Sequence, residues 1–183
     1  MNVIALDPSM SATGLVVINP TTGQIVAYDC IETEPNRRMA LKSEAQFDRA
    51  IQLGRQLTAY ATFYHPVAVC LELPAGAQSA SAAVCLGMCK GIVAGCLASN
   101  MPYALVLPGE LKRVMTGDRN GSKEAVCVRA EQLYPLPNDP GEISSLRGRS
   151  RLTKVQIEAI SDAIGAWEAC KTNPIIMAAT RVP

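Results

Sequence analysis

Three apolar runs lie within the first 33 residues, VIAL (3–6), GLVVI (14–18) and QIVAYDCIET (24–33), and the connections between them are too short to hold a helix. With PTTG (20–23) as a turn, they predict three consecutive antiparallel strands. The pattern then changes. Met39, Phe47, Ile51, Leu53 and Leu57 recur among polar residues at helical spacing over 39–64, VAVCLEL (67–73) has the apolar content of a buried strand, and a helix is expected over 78–99. YALVL (103–107) is another buried strand, followed by helices over 108–116 and 122–134, the second with Ser122 as N-cap. The segment 135–151 is rich in Pro, Gly and Ser and is expected to be a mobile loop before a last helix over 152–171. Antiparallel strands followed by strand–helix–strand–helix predict an α/β fold with a mixed sheet covered by helices on both faces. The length of 183 residues suits one domain, 1–172, with a short tail over 173–183.

Aromatics make up 4% of the chain, so the core must be built from Ala, Val, Leu, Ile, Met and Cys. The seven cysteines form no CxxC pair, which fits reduced core residues of a cytosolic protein; Cys85 and Cys89 have helical spacing but no partners for a zinc site. The apolar stretch 81–98 has Lys90 at its middle, and the runs on either side are too short to span a membrane. The opening residues show no export signal, so a cytoplasmic protein is expected. A formal net charge of +1 lends nucleic-acid binding no global support and leaves room for a local basic face. The single histidine, His65, is far in sequence from every acid singled out below and is assigned no chemistry.

Few acids interrupt the apolar elements. Asp7 ends the first strand, Glu72 lies near the end of the fourth, and Asp162 lies in the final helix, four residues after Glu158 and on the same helix face. If the first and fourth strands are parallel neighbours, Asp7 and Glu72 emerge at one sheet edge. Adjacent carboxylates repel unless a cation neutralises them, and no Lys or Arg lies within these strands. A hard divalent cation such as Mg²⁺ or Mn²⁺ suits such an oxygen-rich set. Each acid alone has a plainer explanation: Asp7 before Pro8 and Ser9 is a good turn former, and Glu158 could be a solvated helix residue. Asp7, Glu72 and Asp162 together, in this order of elements, favour a metal site.

LDPSMSATG (6–14), the acid of VCLELP, the helix containing CLGMCKGIVAG, the pair Lys112 and Lys123, and SDAIGAW (161–167) resemble the RuvC family of Holliday-junction resolvases, with a flavour closer to its phage-encoded members. The resemblance runs in order from about residue 2 to 170. It implies the RNase H-like fold, with a five-stranded mixed sheet flanked by helices. It also implies a metal-dependent endodeoxyribonuclease that resolves four-way junctions by paired nicking, leaving 5′-phosphate and 3′-hydroxyl ends. The catalytic and metal positions map to Asp7, Glu72, Asp162 and one position shortly before Asp162. Many relatives have Asp or His where this chain has Ala159, and Glu158 is the proposed substitute. Relatives also often carry a junction-wedging aromatic after the strand-four acid, and LPAGAQ (73–78) has none.

Two ions about 3.5–4 Å apart can bind the attacking water and the leaving oxygen of an in-line phosphodiester displacement. Asp7 is expected to bridge both ions, Glu72 to ligate one, and Asp162 with Glu158 the other. Lys112 and Lys123 are expected near the scissile phosphate, and Arg147, Arg149, Arg151 and Lys154 form a basic run that could contact the DNA backbone without reading sequence. The expected partners are branched DNA and a second copy of the chain, the latter along the helix over 78–99 through Ala83, Gly87, Gly91, Ala94 and Gly95. An actin-like nucleotide-binding protein would need two such domains, so no nucleotide cofactor is expected. The competing readings are a branched-DNA or flap nuclease of the same fold and a non-catalytic DNA-binding member.

Overall fold

The computed structural model describes all residues of the chain except 37, 74, 75, 77, 78, 100, 182 and 183. Strands β1 (Asn2–Asp7), β2 (Ala12–Asn19) and β3 (Gln24–Glu32) come first, followed by α1 (Lys42–Tyr64), β4 (Pro66–Glu72), α2 (Ala80–Val93) and β5 (Tyr103–Val106). Helices α3 (Pro108–Thr116), α4 (Lys123–Leu133), α5 (Lys154–Cys170) and α6 (Pro174–Thr180) complete the chain. The sheet order is β3-β2-β1-β4-β5, antiparallel across β1–β2–β3 and parallel across β1–β4 and β4–β5.

Alternation along β1 divides the core in two. Val3 and Ala5 point to one face, where they pack with residues of α3, α4, α5 and α6; Ile4 and Leu6 point to the other, where they meet α1 and α2. Both faces of the sheet are buried, which is why β1 and β4 read as continuous apolar runs.

One close contact sets where α5 lies. Gly14 of β2 is the cross-strand partner of Asp7, and a Cβ built on it would stand 1.9 Å from the carbonyl oxygen of Ala159. Only glycine lets α5 lie this near the strand, and that approach carries Asp162 toward the end of β1. The expected result of Gly14→Ala is a stability loss of about 2–3 kcal/mol, because backbone meets backbone and neither can turn aside. Chemical denaturation should show a lowered midpoint at unchanged slope.

Three segments depart from the sequence expectation. Residues 135–151 have no helix or strand, as expected, but they form a pinned strap rather than a mobile loop. Tyr28 N donates to Pro140 O at 2.9 Å, Ser144 Oγ donates to Tyr28 O at 2.9 Å, and Leu146 is fully enclosed. Ser145 donates to the buried carboxylate of Asp29 from its backbone N–H and its hydroxyl, at 3.0 and 2.6 Å, and Tyr60 O–H donates to the same group at 2.9 Å. The physical reason is that β3 is an edge strand, and the strap covers it. The residues beyond 172 include α6, whose Ile176 is fully buried in the same core as α5. The helix expected over 78–99 is α2 followed by a π-helical turn, Ala94–Ala98; residue 78 lies outside the described residues. Among the described residues, Ala80–Ala98 is the one helical stretch long and apolar enough to cross a membrane, by length and composition only; its Cys89, Val93 and Leu97 pack into the core beside α1.

Candidate active site

The register of β1 against β4 pairs Leu6 with Leu71, so the next residue on each strand, Asp7 and Glu72, emerges at the same edge of the sheet. Asp7 follows Val3 and Ala5 in the alternation and Glu72 follows Ala68 and Cys70, so both belong to the face that α5 covers. On α5, Glu158 and Asp162 share one side: Lys123 Nζ of α4 stands 3.4 Å from Glu158 Oε2 and 4.0 Å from Asp162 Oδ2. The helix position of Lys123 follows from Ser122, whose side chain accepts from Ala125 N at 3.1 Å as the N-cap.

These acids act on one another electrostatically. Burial, and after it the charge of Asp162, push the Asp7 carboxyl up to about 7 against the opposing charge of Lys123. Glu72 is pushed up to about 8 by burial, then by Asp7 and Asp162, with Lys123 and Lys112 opposing. Asp162 is raised by burial and by Glu158, against Lys123 and Lys112. Burial works to lower Lys123, but Asp162, Glu158 and Asp7 together hold its ammonium above the usual lysine range. Lys123 is the counterion of the acidic group in this arrangement, and Lys112 lies within its field.

The donor set is all oxygen, partly buried and mutually repelling, which is the chemistry a hard divalent cation suits. Among the described residues no three His, Cys, Asp or Glu side chains are gathered closely enough to hold an ion by themselves. Ala159 is buried and packed onto Gly14.

The three arginines of the basic run diverge. Arg149 reaches Glu32 at 3.7 Å, at the end of β3 nearest Asp7, whereas Arg147 Nη1 donates to the Glu142 carbonyl at 3.3 Å. Arg151 lines an apolar cleft between α4 and α5 with Cys127, Tyr134 and Ile164. Lys154 pairs with Glu124 at 3.6 Å and Glu158 at 3.7 Å. Cys85 and Cys89 lie on α2 with Cys89 in the core, and His65 ends α1 in a left-handed turn. The sequence reading missed Arg49 of α1, whose guanidinium holds the turn that follows Asp7. Its only signal was a lone cation on the apolar stripe of that helix.

If Glu158 belongs to the acidic group, Glu158→Gln should lower cleavage strongly while Ala159→Ser leaves it nearly unchanged. Rates on one branched substrate check this, and normal cleavage by Glu158→Gln would leave Asp162 as the only α5 ligand.

Comparison with known proteins identifies the family. The family model of the crossover junction endodeoxyribonuclease RuvC matches residues 3–145. The RuvC of Pelodictyon phaeoclathratiforme is 29% identical over 154 residues, covering 81% of this chain and 76% of that protein. The RuvC of Oleidesulfovibrio alaskensis is 25% identical over 142 residues, covering 77% and 82%. Among solved structures, T. thermophilus RuvC in complex with a Holliday junction substrate superposes with a TM-score of 0.66 at 16% identity, covering 90% of this chain and 92% of that one. The yeast mitochondrial Holliday junction resolvase follows with a TM-score of 0.52 at 12% identity, covering 91% and 78%. These structural likenesses show the RNase H-like α/β fold expected from the sequence. Because that family model matches residues 3–145, more than half of the chain, the chain belongs to the RuvC family of crossover junction endodeoxyribonucleases.

Proposed function

We propose that this enzyme resolves four-way DNA junctions by paired nicking with Mg²⁺ as its cation, two ions per site, and that it works as a homodimer on DNA in the cytoplasm of a bacterium or phage-infected host. The observation that carries the reading is the placement of Asp7, Glu72 and Asp162 at one sheet edge, with Lys123 facing them. Asp7, Glu72, Asp162 and Glu158 are the residues that would hold the metal. Bound divalent ions acidify water and neutralise charge on phosphoryl oxygens. The chain's own part is to keep the carboxylates largely shielded from water on a rigid sheet edge and to bring Lys123 and Lys112 to the phosphate. Attack of water on phosphorus with loss of the 3′ oxygen leaves a 5′-phosphate and a 3′-hydroxyl.

Dimerisation is supported by α2 and its continuation, where Ala83, Gly87, Gly91, Ala94 and Gly95 are exposed and Val84 is 54% exposed. Small residues let a second helix approach closely, and a two-fold dimer matches the approximate two-fold symmetry of a four-way junction. The phage-type assignment rests on the motif flavour alone.

A second reading, a nuclease for flaps or other branches, is favoured by the lack of an aromatic over 73–78, most of which lies outside the described residues. Mg²⁺-dependent cleavage of four-way, three-way, flap and linear DNA separates the two. The expected result is preference for the four-way junction by a chain of dimeric mass, with binding that weakens steeply with salt. Equal cleavage of flaps would favour the second reading, and a monomeric chain with intact junction cleavage would overturn the dimer.

A further inference from the structure

The nuclease reading accounts for the cations on the α5 side of the acidic edge, but Arg49 approaches that edge from the opposite face of the sheet. It belongs to α1, whose buried residues pack against the face lined by Ile4 and Leu6. Its guanidinium donates to Thr33 Oγ1 at 2.9 Å, Met10 O at 2.8 Å and Ser11 Oγ at 3.1 Å. All three acceptors are neutral, and Arg49 has no carboxylate within ion-pairing distance among the described residues. The same guanidinium lines a groove of about 520 Å³ whose wall continues through Ser11 and Ser9 to Asp7.

A guanidinium spends little of its charge on neutral acceptors. It is built for a bidentate grip on an oxyanion, and three neutral partners fix its plane while leaving the charge to act on whatever occupies the groove. Lys112 and Lys123 supply positive charge on the other flank, so a strand crossing the carboxylates meets cations on both sides of the cut.

We propose that Arg49 is a DNA-backbone contact, holding a phosphate of the cleaved strand next to the scissile one, on the α1 side of Asp7. The proposal rests on the nuclease reading, but it is tested separately from it. Cleavage by the wild-type chain tests that reading, whereas binding of metal-free Asp162→Asn protein to a four-way junction, measured against salt, tests Arg49. In that background Arg49→Gln should reduce the slope of log affinity against log salt by about 1 per bound protomer and weaken binding roughly 3- to 10-fold near 0.15 M salt. Arg49→Lys keeps the charge but not the three-point grip, and should retain the slope.

A merely structural Arg49 would lower the melting temperature in both variants and leave the slope of both unchanged, which would overturn the proposal. One further measurement changes the DNA rather than the protein. On a junction carrying a neutral methylphosphonate at that neighbouring phosphate, protein with Arg49 intact should lose the same slope increment, and Arg49→Gln should lose no more. An unchanged slope on the neutral linkage would also overturn the assignment.

Discussion

Asp7→Asn should lower Mg²⁺-dependent junction cleavage by roughly 10³-fold or more, a loss in the range seen for essential groups of other active sites. The substitution exchanges a charged oxygen ligand for a neutral one of nearly the same shape, so packing at the end of β1 is preserved. Glu72→Gln and Asp162→Asn should behave alike, because burial and mutual charge place all three in one electrostatic group. The variants should stay folded and, without metal at neutral pH, be more stable than the wild type, since each removes a carboxyl that is costly to keep in this partly buried acidic group, whether ionised or holding a proton. Single-turnover cleavage with a melting curve for each variant checks both halves of this expectation. Full activity in folded Asp7→Asn would remove the metal-site reading altogether.

Much of this arrangement was legible in the chain because it is written in short-range pattern. Short apolar runs separated by tight turns determine β1 to β3, and a buried strand followed by a helix places β4 beside β1 through a crossover. Once Leu6 and Leu71 are opposite one another, the meeting of Asp7 and Glu72 follows. Asp162 was legible as an acid set in the apolar run ISDAIGAW of the last helix. Contacts between segments distant in sequence were not legible. The strap over 135–151 has a loop's composition, and its order comes from Asp29, more than a hundred positions earlier, together with the need to cover β3. Asp29 could have been suspected, since a carboxylate inside a strand requires donors, but nothing local names Ser145 and Tyr60. Gly14 reads as a strand-weakening residue, and only the position of α5 explains it.

Stability of the metal-free chain should fall as pH rises through the neutral range, and Mg²⁺ should restore it. The ordinary values for the Asp7 and Glu72 carboxyls are 3.8 and 4.5, and the fold raises them to about 7 and about 8, chiefly by burial. Between those limits the folded state keeps protons that the unfolded state has already released, so the stability associated with the neutral acids is complete below about pH 4 and lost by about pH 8. Within the window each group contributes a slope of about 1.4 kcal/mol per pH unit, so the pair accounts for several kcal/mol. Other carboxylates add an acid-sensitive background, which subtracting the Asp7→Asn curve removes: the wild-type minus variant difference should grow more negative from pH 5 to pH 8. A cation binds the ionised acids, so saturating Mg²⁺ should raise the melting temperature much more at pH 8 than at pH 5, and Asp7→Asn should lose most of that gain. A flat difference curve, or an Mg²⁺ shift equal at both pH values, would mean that the acids at the end of β1 and β4 are not the groups that the cation discharges.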